Sequence, residues 1–533
     1  MMTWRRGLLG LLMVLGLAFV LTPSVLVGIN TFDEGFIASG AMLILRGELP
    51  MRDFFVIYGP GQYYAQALLY ALFGEDLLVS RIAHAITLGG IGLLVVGSVR
   101  SLLPTARWTA PALTLLLFLS GSAVHMPNSG YAAVPALALL LWACQAWSRG
   151  MAQDRSDLLV WAYLLVGLTG LLRWDFGVFG FVALIGAGLL GHPRQLPRHL
   201  KCALPGLALC LSLFLPFVIL GGVGRWLDEV LLFHVREFAT WRGKPFWGPA
   251  LEEMQQLVVH RDRWRGASLW LQMLMMAMPW LLVPLGAGLA WVRLKRGQGQ
   301  QADWLALALA LTALCLLNQV RVRAGLPQGY PAFVAALPLL PYVLQHGIPR
   351  SPGTWRAGLA ATLGLPLVLL PLYAWYNHYS GLARDARHVP DFERASLVLA
   401  QGDAHARMLR GYASLIQQTR AQLAPRQALY SGVQDHSRLF VNDAMLYFLA
   451  DRPAVTRWVE MEPGLSNSAS GQQELVRALE QHQAQILVLL RATSNEANAT
   501  ARSNGLNLLD DYVAQRYRET THHEDYSILR RRD

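Results

Sequence analysis

Two adjacent acids stand directly after a long apolar run, in Asn30-Thr31-Phe32-Asp33-Glu34-Gly35. A carboxylate held at an apolar boundary can take a proton from a hydroxyl, which is the work of a general base. The same pair also suits the first turn of a helix starting near Phe36, because acids favour the positive end of a helix dipole. A second group lies far along the chain, in Asn318-Gln319-Val320-Arg321-Val322-Arg323. Here two arginines close another apolar run, and a guanidinium binds phosphate through a planar fork of donors. Gln328 and Tyr330 follow as candidate supporting donors. The alternative for both arginines is to snorkel as interface anchors. Arg173 and Asp175 are spaced for a local ion pair that anchors two helix ends.

The elements that must position these residues are membrane spans. Hydrophobic residues make up 54% of the 533 and charged residues 15%, whereas a soluble chain usually carries about a quarter charged residues. A crossing needs about 20 mostly apolar residues, and roughly eleven such runs are present. They cover 7–29, 77–99, 109–124, 131–148, 158–172, 176–191, 202–222, 268–291, 304–320, 331–346 and 357–377. The first run is longer than the ~7–15 residues of a signal-peptide core, so it is expected to stay as a span. The four cysteines lie in or beside apolar runs without a CxxC pair, so no disulfide or thiolate metal site is expected.

With the N-terminus inside, the inner connections hold Arg100 and Arg107, Arg149 and Arg155, Arg194, Arg198 and Lys201, Arg293, Lys295 and Arg296, and Arg350 and Arg356. Acids there are few, which satisfies the positive-inside rule. The net charge of +11 is thus topological, and no nucleic-acid partner is expected. An odd number of spans puts the tail outside. The sequence predicts a membrane domain over 1–379, with outer loops 30–76 and 223–266, and a small soluble α/β domain over 380–533. In the tail, Ala428–Val433, Val455–Glu460, Ile486–Arg491 and Tyr526–Arg530 read as strands. Stretches around Asp443–Ala450 and Gln472–Gln481 read as helices, with Asn442 and Asp443 as cap residues.

On this map Asp33, Glu34, Arg52, Asp53 and Tyr58 share one outer face with His125, Asn128, Arg173, Asp175, Arg321 and Arg323. Charge at membrane depth is costly and tends to mark function. The segment 223–266 mixes Trp226, Trp241, Phe246 and Trp247 with charges, as segments at headgroup level do. Within it, Arg236, Arg242 and Lys244 read first as headgroup contacts.

The first outer loop continues through Gly47-Glu48-Leu49-Pro50-Met51-Arg52-Asp53 to Tyr58-Gly59-Pro60-Gly61, then Leu72-Phe73-Gly74 and Ser80-Arg81. This order resembles bacterial membrane glycosyltransferases of the GT-C superfamily, in the branch of the protein O-mannosyltransferases and aminoarabinose transferases. The likeness is carried by residues 28–90, and beyond them by topology. It implies a polytopic helical fold in the bacterial inner membrane and a polyprenyl-phosphate-sugar donor. It also implies single displacement onto a hydroxyl of a lipid, glycan or protein acceptor. Asp33 would be the base, with Glu34 helping to hold donor or acceptor. Arg173 would pair with the donor phosphate and Asp175 would orient it or the acceptor. Apart from the resemblance, their chemistry puts Arg321 and Arg323 on the same phosphate, and Arg242-Gly243-Lys244-Pro245 is a candidate segment to close over the donor. Arg52, Asp53, Tyr58 and His125 would support the site.

One departure stands out. Relatives often carry an acid in the second outer loop, but here it reads His125-Met126-Pro127-Asn128-Ser129-Gly130-Tyr131, with no carboxylate. A divalent cation therefore has no assigned ligands. The alternative reading is a lipid-linked-sugar flippase or other transporter, which should show internal repeats and spans interrupted at the midplane. The sequence shows neither clearly, and its polar residues cluster at one face.

Overall fold

In lipid every backbone polar group must be satisfied within the chain, so long apolar runs fold as helices. The structure is a computed structural model that describes residues 2–104, 109–125, 130–245, 263–347, 354–491, 494, 496, 498–523 and 525–532. Each of the predicted apolar runs falls on a helix, from Met2–Val25 and Leu77–Leu102 to Gln301–Val322 and Thr354–Asp385. Among the described residues, six helices are long and apolar enough to cross a membrane. The run predicted at 331–346 is divided between helices Leu326–Ala336 and Leu339–Gly347. Pro338 lies at the division, where its ring removes a backbone donor.

Close helix packing uses small residues, as in other membrane bundles. A side chain at Gly167 would meet the Gly206 carbonyl at 2.2 Å, so helices Ser156–Leu172 and Leu196–Gly221 touch backbone to backbone.

The loop after the first span forms two short helices, Asp33–Leu45 and Gly61–Phe73. The sequence suggested amphipathic pieces, but Asp33–Leu45 is buried from Glu34 to Leu43. The tail is the reason. Phe36, Ala41, Tyr63 and Tyr70 share one core with Leu446, Phe448 and Ile486. The approach is close: the Met445 amide donates to the Thr31 carbonyl at 2.9 Å, and Ser39 Oγ donates to the Ala444 carbonyl at 2.7 Å. A side chain at Gly35 would stand 2.4 Å from the Met445 nitrogen.

The tail holds a four-stranded sheet in the order Tyr430–Val433, Ile486–Leu490, Tyr526–Arg531, Tyr517–His523. The first pair is parallel and the others antiparallel, with helix Ala469–Gln481 in the parallel crossover. Asp443, one residue before the N-cap Ala444 of helix Met445–Ala450, accepts from the Leu446 amide in its first turn. One predicted strand is absent. Val455–Glu460 is irregular because its backbone bonds go elsewhere: Arg457 O accepts from Phe55 of the first loop, and Val459 O accepts from the Asn442 amide group.

Candidate functional site

Asp33 and Glu34 open one helix and face different surroundings. Asn30 caps the turn, its Oδ1 accepting from the Phe32 and Asp33 amides at 3.0 and 2.9 Å while its Nδ2 donates to Asp33 Oδ2 at 3.2 Å. Asp33 lines a cavity of about 500 Å³. Burial pushes its pKa up, against the Asn30 bond and the positive charges of Arg242, Arg323 and Arg173.

Glu34 is not among the cavity's lining residues. Both its oxygens take hydrogen bonds of 2.8 Å from Arg81, which is 2% exposed and also donates to the Leu26 and Gly28 carbonyls. Glu34, expected to hold donor or acceptor, is thus turned to Arg81. Its carboxylate is spent on fixing the end of the first span to helix Leu77–Leu102.

The cavity gathers residues from five distant stretches, one of which supplies Tyr131 just before helix Ala133–Ala152. From the first loop come Asp33, Ile57 and Tyr58, and from the 223–245 segment Phe238, Arg242 and Lys244. The end of helix Gln301–Val322 brings Arg323 and the following helix Leu326–Ala336 brings Gln328, and the tail brings Phe440, Glu460 and Glu462. A short backbone bridge sets the cations: Lys244 N donates to Val322 O, and Ala324 N donates back to Lys244 O. Arg242 and Lys244 are thus wall residues rather than headgroup contacts.

Each of these cations meets a carboxylate of the tail. Arg242 Nε and Nη2 each donate to Glu462 at 3.0 Å. Arg323 forms a two-pronged pair with Glu496 at 2.7 and 2.6 Å, and Lys244 reaches the same carboxylate at 2.8 Å. Burial pushes Glu496 up, but these cations outweigh it and hold its pKa down to about 2. A carboxylate gripped by an arginine fork and a lysine occupies the geometry a phosphate would take.

The remaining predicted residues separate. Arg173 is buried, pairs with Asp175 at 3.0 Å and lies 4.3 Å over the Tyr58 ring. Asp175 also accepts from Gln319. Arg173, expected at the donor phosphate, therefore backs the wall through Tyr58 and is not among the cavity's lining residues. Asp175 is spent on Arg173 and Gln319. Arg321 is exposed and bonds Asn318, three residues back, so it does not join Arg323. Consecutive odd positions at a helix end point apart, which explains the split. Arg52 and Asp53 bond each other on the surface, and Asp53 also accepts from the Leu49 amide, so they shape a turn outside the cavity. The side chain of His125, and all of Asn128, lie outside the described residues.

Sequence reasoning missed Arg81, Glu460, Glu462 and Glu496. The three acids come from the tail, and only the alternation Val459-Glu460-Met461-Glu462 hinted that acids there turn inward. Among the described residues, no three His, Cys, Asp or Glu side chains stand together as a metal-binding group.

Residues 58–220 match the family described as Dolichyl-phosphate-mannose-protein mannosyltransferase. The structure resembles that of ArnT from Cupriavidus metallidurans, solved both in the apo state and bound to undecaprenyl phosphate. In each case the identity is 17%, the cover 98% of both chains and the TM-score 0.55. No curated protein sequence matches the chain. In fold, then, the chain is an integral membrane protein similar to ArnT, and residues 58–220 within it match the mannosyltransferase family's model.

Proposed function

We propose that the chain transfers a sugar from a polyprenyl-phosphate donor to an acceptor hydroxyl, with Asp33 as general base. The supporting observation is the cavity in which Asp33 faces the cations Arg323 and Lys244. The ArnT of similar fold has been solved with undecaprenyl phosphate bound, which favours a donor of the same lipid class. Asp33 takes the hydroxyl proton as the acceptor oxygen forms its bond to the anomeric carbon. The bond from that carbon to the phosphate oxygen breaks, and the phosphate leaves with the electron pair. Arg323 and Lys244 stabilise the charge that grows on it, which lowers the barrier because the charge is greater in the transition state. Glu496 must give up the two cations for this. Arg173 and Asp175 act as positioning residues behind Tyr58, and Glu34 with Arg81 as positioning residues behind Asp33.

The same reading puts the N-terminus in the cytoplasm of a bacterial cell and residues 380–533 outside it, supported by the basic residues of the inner connections. The outer face offers lipid-linked rather than nucleotide-linked sugars. The test uses the purified chain in lipid nanodiscs with a panel of undecaprenyl-phosphate hexoses and pentoses, reading release of undecaprenyl phosphate. The wild type should turn over at least one. Asp33→Asn should lose about 10²–10⁴-fold in rate while still binding the lipid. Wild-type turnover by that variant sinks the base assignment.

A further inference from the structure

One buried acid in the cavity has no part in the transfer just described. Glu460 is 3% exposed and lines the cavity, and its Oε2 has no hydrogen-bond partner among the described residues. Buried polar groups are nearly always paired, so an orphan facing a cavity marks where something else supplies the partner. The nearby cation does not: Arg242 has committed Nε and Nη2 to Glu462. Nor is the position slack. Asn442, fully buried, donates from Nδ2 to Val459 O at 3.0 Å and accepts at Oδ1 from Met461 N at 3.0 Å. One amide thus pins the backbone on both sides of Glu460. The irregular path of Val455–Glu460, where the sequence predicts a strand, is the conformation that turns this side chain to the cavity.

Burial, then the neighbouring Glu462, push the Glu460 pKa well up; Arg242 opposes them and Asp33 adds to the rise. A carboxyl drawn toward its neutral form donates one hydrogen bond and accepts another. That pattern complements a hydroxyl, which also does both.

We propose that Glu460 is a carbohydrate-recognition residue, its carboxyl closing a hydrogen bond with a sugar hydroxyl held in the cavity shared by Asp33, Arg323 and Lys244. The inference rests on the transferase reading and adds to it the residue that senses the sugar. The hydroxyl comes either from the transferred sugar or from a sugar-bearing acceptor.

The experiment compares undecaprenyl phosphate with whichever undecaprenyl-phosphate sugar the wild type turns over, using binding titrations in nanodiscs. Glu460→Leu removes the polar group at similar bulk, and Glu460→Gln keeps a group that donates and accepts. If the donor sugar is sensed, Glu460→Leu weakens the sugar lipid by about tenfold or more and leaves undecaprenyl phosphate unchanged. Glu460→Gln should stay within about threefold of wild type on both lipids. If the acceptor is sensed, both lipids bind Glu460→Leu normally and the acceptor KM rises instead, again spared by Gln. Wild-type behaviour of Glu460→Leu in binding and KM overturns the proposal, as does equal weakening of both lipids. A wild type that turns over no lipid-linked sugar breaks the transferase reading itself.

Discussion

Helix Gln301–Val322 carries charge at both ends, and the two ends are built differently. At its start, Asp303 is fully buried and accepts from Arg293 Nε at 2.7 Å, Tyr342 Oη at 2.6 Å and the Gln300 amide at 2.8 Å. All of these partners come from the helix itself or its bundle neighbours, and they leave the carboxylate nothing further to bind. At the other end, Arg323 finds its carboxylate on Glu496, in the tail, beside an open cavity. A charge satisfied by its own bundle is scaffold. A charge satisfied by a separate stretch of chain beside a cavity can exchange that partner for a ligand. The number of ion pairs is a poor guide here, since a buried pair adds little net stability over apolar packing.

The largest effect that should separate the two ends is on chemistry. Asp33→Asn, on the cavity side, removes about 10²–10⁴-fold of turnover with little change in unfolding. Asp303→Ala should do the reverse. It strands Arg293 and the Tyr342 hydroxyl and costs about 3 kcal/mol of stability, read as a lowered thermal midpoint in detergent, with lipid affinity per folded molecule kept. Selective loss of lipid binding in Asp303→Ala would erase the distinction. Arg81→Ala belongs with the scaffold class: it leaves Glu34 buried without its cation and should cost about 3–5 kcal/mol.

These contrasts also mark what was legible in the sequence. The bundle was, because lipid leaves a long apolar run one way to satisfy its backbone, and each predicted run lies on a helix. Asp33 was legible as an acid at the edge of such a run, and Arg323 as a cation at the edge of another. What pairs with them was not. Arg81 lies 47 residues from Glu34, and Arg323 lies 173 residues from Glu496. Periodicity reports the face a residue shows within its own element, and says nothing of which distant element comes to cover it. The misread strand at Val455–Glu460 has the same origin. Its alternation suits a strand, but Asn442 and Phe55 take the backbone groups that a sheet neighbour would use.

A smaller effect sharpens the cavity side. Glu496→Gln removes the negative charge that holds Arg323 and Lys244 but keeps a hydrogen-bonding group of the same size. An incoming phosphate then displaces an amide rather than a carboxylate, so undecaprenyl phosphate should bind about tenfold more tightly, most clearly at low salt. Weaker binding in a titration would mean that Glu496 is a fixed part of the wall, and that this end resembles the Asp303 end after all.

The smallest effect is on pH. A general base works only when deprotonated, so turnover falls as pH drops through the Asp33 pKa. Burial raises that pKa, and the opposing charges of Arg242, Arg323 and Arg173 limit the rise. The acid limb of kcat/KM should therefore lie above the ordinary aspartate range. Glu496→Gln leaves Arg323 and Lys244 less neutralised, which favours the Asp33 carboxylate and moves the limb to lower pH by at most about one unit. A limb that moves upward would show that Glu496 does not screen those cations from the base. A limb that vanishes in Asp33→Asn but keeps its position in Glu496→Gln would place the base and the phosphate cations too far apart to act on one substrate.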